Sequence, residues 1–321
     1  MRRREFLGLV GSVAGWPVAA RAQDKDRVQR IGVLRFNPRH GKETFAEPFR
    51  QYMQAVGWEE RRNVHYDFVW ADGLIDQLPI LAAELVARNV DLIVAFGDLG
   101  IRAAQRATPS IPIVGLTDDL VGSGLAASLA RPGGNTTGVS ILASELDVKR
   151  LEVLCEFVPK AKRIAILIDP TTISTRPQLE QAAHRLSVEI VPFEAQSSEQ
   201  IAGALDAMEG GLDAVNVLAS PILNNSRSMI IDRLRQARLP AIYQWPECAE
   251  EGGLLAYGPR NLLAYRHVVS LVDKILRGRR PVDLPIEQPS KLELVVNLKT
   301  ATAIGLTISS SLLLRADQVI E

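Results

Sequence analysis

Arg163-Ile164-Ala165-Ile166-Leu167 repeats, 133 positions later, the pattern of Arg30-Ile31-Gly32-Val33-Leu34. Each is a short apolar run entered from an arginine, and each reads as a β-strand. After the first run, Phe45, Phe49, Tyr52, Met53 and Val56 recur at helical spacing. A strand near Val64–Val69 and a helix bearing Leu78, Leu81 and Leu85 follow. Asp91-Leu92-Ile93-Val94-Ala95 is then nearly continuous in apolar residues, as expected of a strand covered on both faces. The second copy answers each part. Val188–Phe193 echoes the second strand. Ser197 with Gln200 forms a capping-box pattern ahead of Ile201, Leu205 and Met208, and Gly210-Gly211 ends that helix. Asp213-Ala214-Val215-Asn216-Val217 echoes Asp91–Ala95, and Leu239-Pro240-Ala241-Ile242 echoes Ile111-Pro112-Ile113-Val114. Chance likeness between generic βα units is the alternative. Two copies of one doubly wound unit is the economical reading, and it predicts an α/β protein of two parallel-sheet lobes.

Between the copies, Arg131-Pro132-Gly133-Gly134-Asn135 is a loop signal, and the strand at Thr137–Leu142 reads as a first crossing between lobes. Leu254–Tyr257, a helix around Leu262–Leu276, a strand at Leu292–Val296 and a last helix are surplus to the repeat. They imply three crossings. Lobe one is expected to hold residues 28–140 and 253–285, lobe two 141–252 and 286–321. A cleft spanned by several strands can hinge closed around a ligand.

The first residues read as an address. Arg2-Arg3-Arg4 precedes an apolar run from Phe6 to Ala20, and Ala20-Arg21-Ala22 is a small-x-small cleavage site. The run is shorter than the roughly 20 residues of a membrane span. Arg3-Arg4-Glu5-Phe6-Leu7 fits the twin-arginine export pattern, with an ordinary secretory signal as the alternative. Cleavage near Ala22 would leave the protein in the periplasm, and no cysteine follows the site to carry a lipid. Loss of residues 1–22 removes four Arg and one Glu, leaving 33 basic and 36 acidic residues. That near-balance, with no basic block, argues against nucleic acid or an anionic membrane as partner. Cys155 and Cys248 permit one disulfide without demanding it, and the spacing around Cys155 favours a buried free thiol. The four histidines are too scattered for a metal site, and no cofactor is expected.

In open parallel sheets ligands lie beyond the carboxyl ends of the strands. In lobe one those loops hold Phe36 and Asn37, then Gly97, Asp98 and Leu99, then Thr117, Asp118 and Asp119. In lobe two they hold Asp169 and Thr171, Ser220, and Tyr243 and Trp245, with Tyr257 at the end of a returning strand. The set combines aromatic faces with hydroxyls, an amide and carboxylates, suited to a flat apolar ligand with a polar end. Blander roles are open to each. Asp98, Thr171 and Ser220 can cap the following helices, Phe36 and Trp245 can belong to lobe cores, and Asp118-Asp119 can form a solvated turn.

Signs of catalysis are weak. Gly122-Ser123-Gly124-Leu125-Ala126-Ala127 matches a dinucleotide pattern but lies in a fourth βα unit, well past its strand, where helix packing explains the small residues. Gly138-Val139-Ser140 starts like a nucleophile elbow, but Leu142 stands where a glycine is required.

Several longer motifs are more specific. They are Gln77-Leu78-Pro79 with Leu81-Ala82-Ala83-Glu84-Leu85-Val86, the segment Ala126–Asn135, and Leu239-Pro240-Ala241-Ile242-Tyr243. Gly252-Gly253-Leu254 with Tyr257-Gly258-Pro259, Val272-Asp273-Lys274-Ile275-Leu276, Leu284–Pro289 and Asn297–Ile308 complete them. With these the chain resembles the bacterial ABC transporter substrate-binding proteins of tryptophan/tyrosine type, over nearly its whole mature length. The resemblance implies a type I periplasmic binding fold and a soluble receptor serving an ABC permease in the inner membrane, without catalysis, and a monomer is expected. Presentation of the ligand to a membrane sensor is the alternative. Two positions depart from the family pattern. Asp98 stands where a small or hydroxyl residue follows the glycine, and Asp118-Asp119-Leu120 replaces a Gly-Asp-Pro loop. A fixed carboxylate at Asp98 would repel an amino-acid carboxylate, so aromatic acids, amides and cationic ligands stand beside aromatic amino acids as candidates.

Overall fold

The runs Ile31–Leu34 and Leu92–Phe96 lack polar alternation because both faces of their sheet are covered, and every residue in them is buried. The computed structural model describes residues 27–36, 45–170, 175–208 and 210–321. The signal segment therefore lies outside the described residues. The chain opens with β1 (Gln29–Arg35), α1 (Ala46–Ala55), β2 (Val64–Trp70), α2 (Gln77–Ala87), β3 (Leu92–Phe96), α3 (Gly97–Ala107), β4 (Ile113–Thr117) and β5 (Thr136–Ser140). The second copy runs through α4 (Ala143–Phe157), β6 (Arg163–Ile168), α5 (Arg176–Leu186), β7 (Glu189–Glu194), α6 (Ser198–Ala207) and β8 (Ala214–Val217). It continues with α7 (Pro221–Asn225), α8 (Arg227–Gln236), β9 (Ala241–Tyr243), α9 (Pro246–Glu250) and β10 (Leu255–Gly258). Then come α10 (Asn261–Leu276), β11 (Glu293–Asn297), α11 (Leu298–Ile304), α12 (Ser310–Leu313) and β12 (Gln318–Ile320).

The repeat is visible in the sheets. Lobe one is ordered β2-β1-β3-β4-β5, and lobe two begins the same way, β7-β6-β8-β9-β10, before adding β11 and β12. Ile31 pairs with Leu92 and Ile164 with Ala214, so the matching strands meet in matching register. In both sheets the order reverses at the first strand, which leaves a crevice at the carboxyl ends of β1 and β3, and of β6 and β8. On lobe one, α1 and α10 pack Phe45, Phe49, Met53, Tyr265 and Val268 against one face. Leu78, Leu85 and Ile101 of α2 and α3 cover the other, in a cluster that runs on into Ile201, Ile230 and Trp245 of lobe two. Leu151, Leu179 and Ala301 of α4, α5 and α11 fill the outer face of the second sheet.

The chain crosses between lobes three times, but the boundaries differ from expectation. β10 was assigned to lobe one with 253–285; it pairs instead with β9 in parallel and β11 in antiparallel sense, inside the second sheet. The fit there is close, since a Cβ at Gly258 would lie 2.1 Å from the Gln244 carbonyl oxygen. Residues 286 and 287 were assigned to lobe two, yet Glu287 bonds Gly138 O and Ser140 N along the edge of β5, at 2.9 Å each. Its side chain pairs with His267 and Lys274 of α10. The first crossing turns at Leu142, which adopts φ 54, a left-handed conformation uncommon outside glycine, and donates to Asp118 O. At the second, Arg260 binds Glu250, Glu293 and Gln318 at 2.7–2.8 Å.

Two smaller expectations also change. Gly122–Ala127 forms turns and no helix; Gly124 sits at φ +66, where helix cannot continue. The expected last helix is two short helices and a strand. Both cysteines are free, Cys248 buried and Cys155 only half-buried, and burial pushes their thiols up to about 12 and about 11.

Candidate functional site

The carboxyl ends of the two sheets face each other across a cavity of about 140 Å³. Lobe one supplies Phe36 after β1, Gly97, Asp98 and Leu99 at the start of α3, and Thr117 and Asp118 at the end of β4. Lobe two supplies Asp169 after β6, Ser220 after β8, and Gln244 and Trp245 after β9. The lobes come together at the rim: a Cβ at Gly97, whose φ is +70, would lie 3.6 Å from Pro221 Cγ. An engineered apolar cavity of roughly 150 Å³ holds one benzene, so this cleft has room for a ring-sized body.

The carboxylates are held in three different ways. Asp98, in the first turn of α3, does not cap its own helix. Its Oδ1 accepts from the Thr117 hydroxyl and its Oδ2 from the Ser123 hydroxyl at 2.5 Å. The Gly122–Gly124 turn is what brings Ser123 there. Asp169 is 2 % exposed and accepts from Ser220 Oγ at 2.6 Å. Ser220 in turn caps α7, accepting from the backbone of Ile222 and Leu223, so capping and lining are both true of it. Asp147, on α4, is paired with the fully buried Arg150 and also accepts from Thr175 Oγ1 and Ala219 N. Burial raises its pKa to about 6, Arg150 pulls it down, and Asp118 across the cleft pushes it up again.

Aromatic walls complete the site. Phe36 and Trp245 are 9 % and 6 % exposed, core residues of their lobes that also line the cleft. Phe96 and Tyr265 join them, and the Arg35 guanidinium lies 4.2 Å from the Phe96 ring centroid. On the lobe-two side of the cleft two buried polar atoms have no hydrogen-bond partner among the described residues: Gln244 Nε2 and Asn224 Oδ1.

Of the residues singled out from sequence, Phe36, Gly97, Asp98, Leu99, Thr117, Asp118, Asp169, Ser220 and Trp245 line the cavity. Asn37 and Thr171 lie outside the described residues. Asp119, Tyr243 and Tyr257 do not line it. Asp119 bonds Val121 N inside its own turn. Tyr243, the last residue of β9, is directed into the lobe-two core beside Cys248, while the next residue, Gln244, faces the cleft. Tyr257 packs against the outer cluster, and its carbonyl accepts from Arg150 Nη1 at 3.2 Å. Missed were Arg35, Phe96, Asp147, Asn224, Asn261 and Tyr265. Arg35 and Phe96 directly precede residues that were named. An Asp147-x-x-Arg150 pair on the apolar face of Leu151 and Leu154 is a readable sign of a buried ion pair.

The family model described as ABC transporter substrate binding protein matches residues 30–320. The tyrosine-binding protein of Clostridioides difficile (strain R20291) is 24% identical over 288 residues, spanning 88% of this chain and 83% of that protein. The ABC domain from Streptococcus pneumonia, solved in complex with L-Trp, is 24% identical and covers 91% of this chain and 100% of its own, with a TM-score of 0.80. A ligand-free, open substrate-binding protein with adhesive properties from Clostridium difficile is 23% identical over 91% of this chain and 99% of its own, with a TM-score of 0.62. These neighbours share the type I periplasmic binding fold. With two like lobes, a cleft between them and a match from residue 30 to residue 320, the chain belongs to the family of ABC transporter substrate-binding proteins, which bind solutes and are not enzymes.

Proposed function

We propose that the protein is an exported, monomeric periplasmic receptor that captures a small ring-bearing molecule and delivers it to an ABC permease in the inner membrane. The ligand class includes aromatic amino acids and related aromatic acids, amides or amines. The observation that carries this reading is the lining of the cleft. Aromatic faces from both lobes flank a ring-sized space, and two buried amide atoms without a partner among the described residues, Gln244 Nε2 and Asn224 Oδ1, stand at its lobe-two side. A molecule touching both lobes stabilises their closed arrangement by its differential contacts, which is how a receptor signals occupancy. At nearly equal identity the chain lies closer in shape to the L-Trp-bound neighbour than to the ligand-free, open one, which supports a closed arrangement. The tyrosine-binding relative points to the same kind of ligand. An N-terminus with the charge and apolar pattern of an export signal supports the location.

The test is a thermal-shift panel on the purified mature protein with amino acids, aromatic acids, amides and amines. A ligand at about 100 times its dissociation constant should add roughly 2.7 kcal/mol of stability. Absence of any stabiliser across the panel would sink the receptor reading.

A further inference from the structure

The inference rests on the receptor reading and names a group that its ligand carries. Next to the cleft, within lobe two, lies a second and much smaller pocket of about 10 Å³. That is close to the roughly 10–15 Å³ needed to hold one water-sized group. Ser220, Asn224, Gln244 and Trp245 line both spaces, so the pocket adjoins the cleft through them. Its other walls are mostly apolar, with Leu223, Ile230 and Cys248 among them.

Much of the polar lining of the pocket is already engaged. Ser220 Oγ donates to Asp169 and accepts from the backbone of Ile222 and Leu223. Arg227 donates to Glu251 and to the Asn224 carbonyl. Gln244 Nε2 and Asn224 Oδ1 are different: both are buried, and neither has a partner among the described residues. The whole Gln244 residue is only 5 % exposed. Leaving such atoms unbonded is unfavourable, and native proteins rarely do so without cause.

The two backbones are fixed before any ligand arrives. Asn224 N donates to Ser220 O at 2.9 Å, and its carbonyl accepts from Arg227 Nη1 at 3.1 Å. The Gln244 carbonyl is held so close to β10 that a Cβ at Gly258 would lie 2.1 Å from its oxygen. Little ordering is then left for the ligand to impose. One donor and one acceptor together call for a group that accepts one hydrogen bond and donates another, and a hydroxyl is the smallest that does both. Turning both amides over exchanges the roles and leaves that demand unchanged. Trp245 borders both spaces and offers the ring that carries the hydroxyl an apolar surface beside the pocket.

We propose that Gln244 and Asn224 form a lobe-two subsite that reads a hydroxyl on the ligand's aromatic ring, so that the receptor prefers a phenol to the same molecule with an unsubstituted ring.

Calorimetric titration of the mature protein with matched pairs tests it: L-tyrosine against L-phenylalanine, tyramine against phenylethylamine, and 4-hydroxyphenylacetate against phenylacetate. The members of a pair share their charge, so the cleft aspartates and the buried donor Arg35 Nε act on both alike. In every pair that binds, the phenol should bind at least about tenfold more tightly. The double variant Gln244→Met with Asn224→Leu should bring the two members to within about threefold of each other. Equal binding of a pair by the parent protein means that water already answers the two amides, which overturns the inference and leaves the receptor reading standing. Binding confined to molecules without a ring hydroxyl has the same meaning for both. Failure of every compound in the wider panel overturns both. The parent comparison does not depend on the variant folding.

Discussion

Gln244→Met should make the ligand-free protein more stable and the receptor worse. Gln244 is 5 % exposed and its Nε2 is buried without a partner. A buried donor left unsatisfied costs about 1–3 kcal/mol. Methionine has nearly the same length and flexibility and no polar atom, so it fills the same space at a packing cost below about 1.5 kcal/mol. The variant should therefore gain up to about 2 kcal/mol in urea denaturation without ligand. For a chain of this size that is roughly 2–4 °C in Tm. The ligand loses one hydrogen bond of about 0.5–1.5 kcal/mol, so its dissociation constant should rise by between about twofold and tenfold. The opposite signs are the diagnostic, because an ordinary packing defect lowers both. If ligand-free Gln244→Met is no more stable than the parent, the amide is already satisfied without ligand, and the reasoning about the lobe-two side of the cleft is refuted.

Asp147 predicts a pH dependence of stability. Its folded pKa of about 6 lies above the ordinary 3.8, so the folded state holds the extra proton. The associated stability, about 3 kcal/mol at 1.36 kcal/mol per unit, is fully present below pH 4 and is lost as pH rises through 6. Burial raises the value, Arg150 on its own helix lowers it and Asp118 across the cleft adds a smaller rise, and Asp147→Asn should flatten that part of a urea-denaturation series from pH 4 to 7. Gly138→Ala would place a Cβ 2.0 Å from the Gly115 carbonyl oxygen, where β4 and β5 meet in register, and should cost about 1–3 kcal/mol or more in the same assay. Trp245→Ala removes a ring that is 6 % exposed and should cost about 3–5 kcal/mol, so its binding defect must be read from the ligand-induced increment in Tm and not from Tm itself.

The two lobes and most of the loops at their strand ends were legible because buried parallel strands announce themselves as apolar runs and the runs occur twice. Strand ends locate a cleft to within one residue, and one residue is enough to miss a side chain. Tyr243 and Gln244 are neighbours, and only the second faces the cavity. Helical contributions were the least visible. Asp147, Asn224 and Tyr265 reach the site from helix turns whose approach depends on how each helix lies across its sheet. Helical periodicity marks an apolar face without saying which turn comes nearest a crevice. β10 was placed in the wrong lobe for a related reason. Its apolar run is compatible with either sheet, and what decides is the close pairing with β9 that Gly258 permits. Asp98 was legible as an anomaly, but its hydroxyl partners became apparent only when the Gly122–Gly124 turn brought Ser123 back to it.

The packing of α10 on lobe one has a consequence for synthesis. Tyr265 lies edge-on to Phe45, and Asp273 accepts from Trp58 Nε1 at 2.9 Å, so the face over α1 is closed by residues made long after β5. At roughly 5–20 residues per second, a ribosome needs about 7–27 s to travel from Ser140 to Leu276. Through that interval Phe45, Phe49 and Met53 have the strands of their own sheet to pack on but lack the cover that α10 supplies. A fragment stopping at Ser140 should be sticky and poorly folded, whereas a permuted chain that supplies 261–276 early should rescue it. The first lobe to be translated is thus among the last parts to be finished.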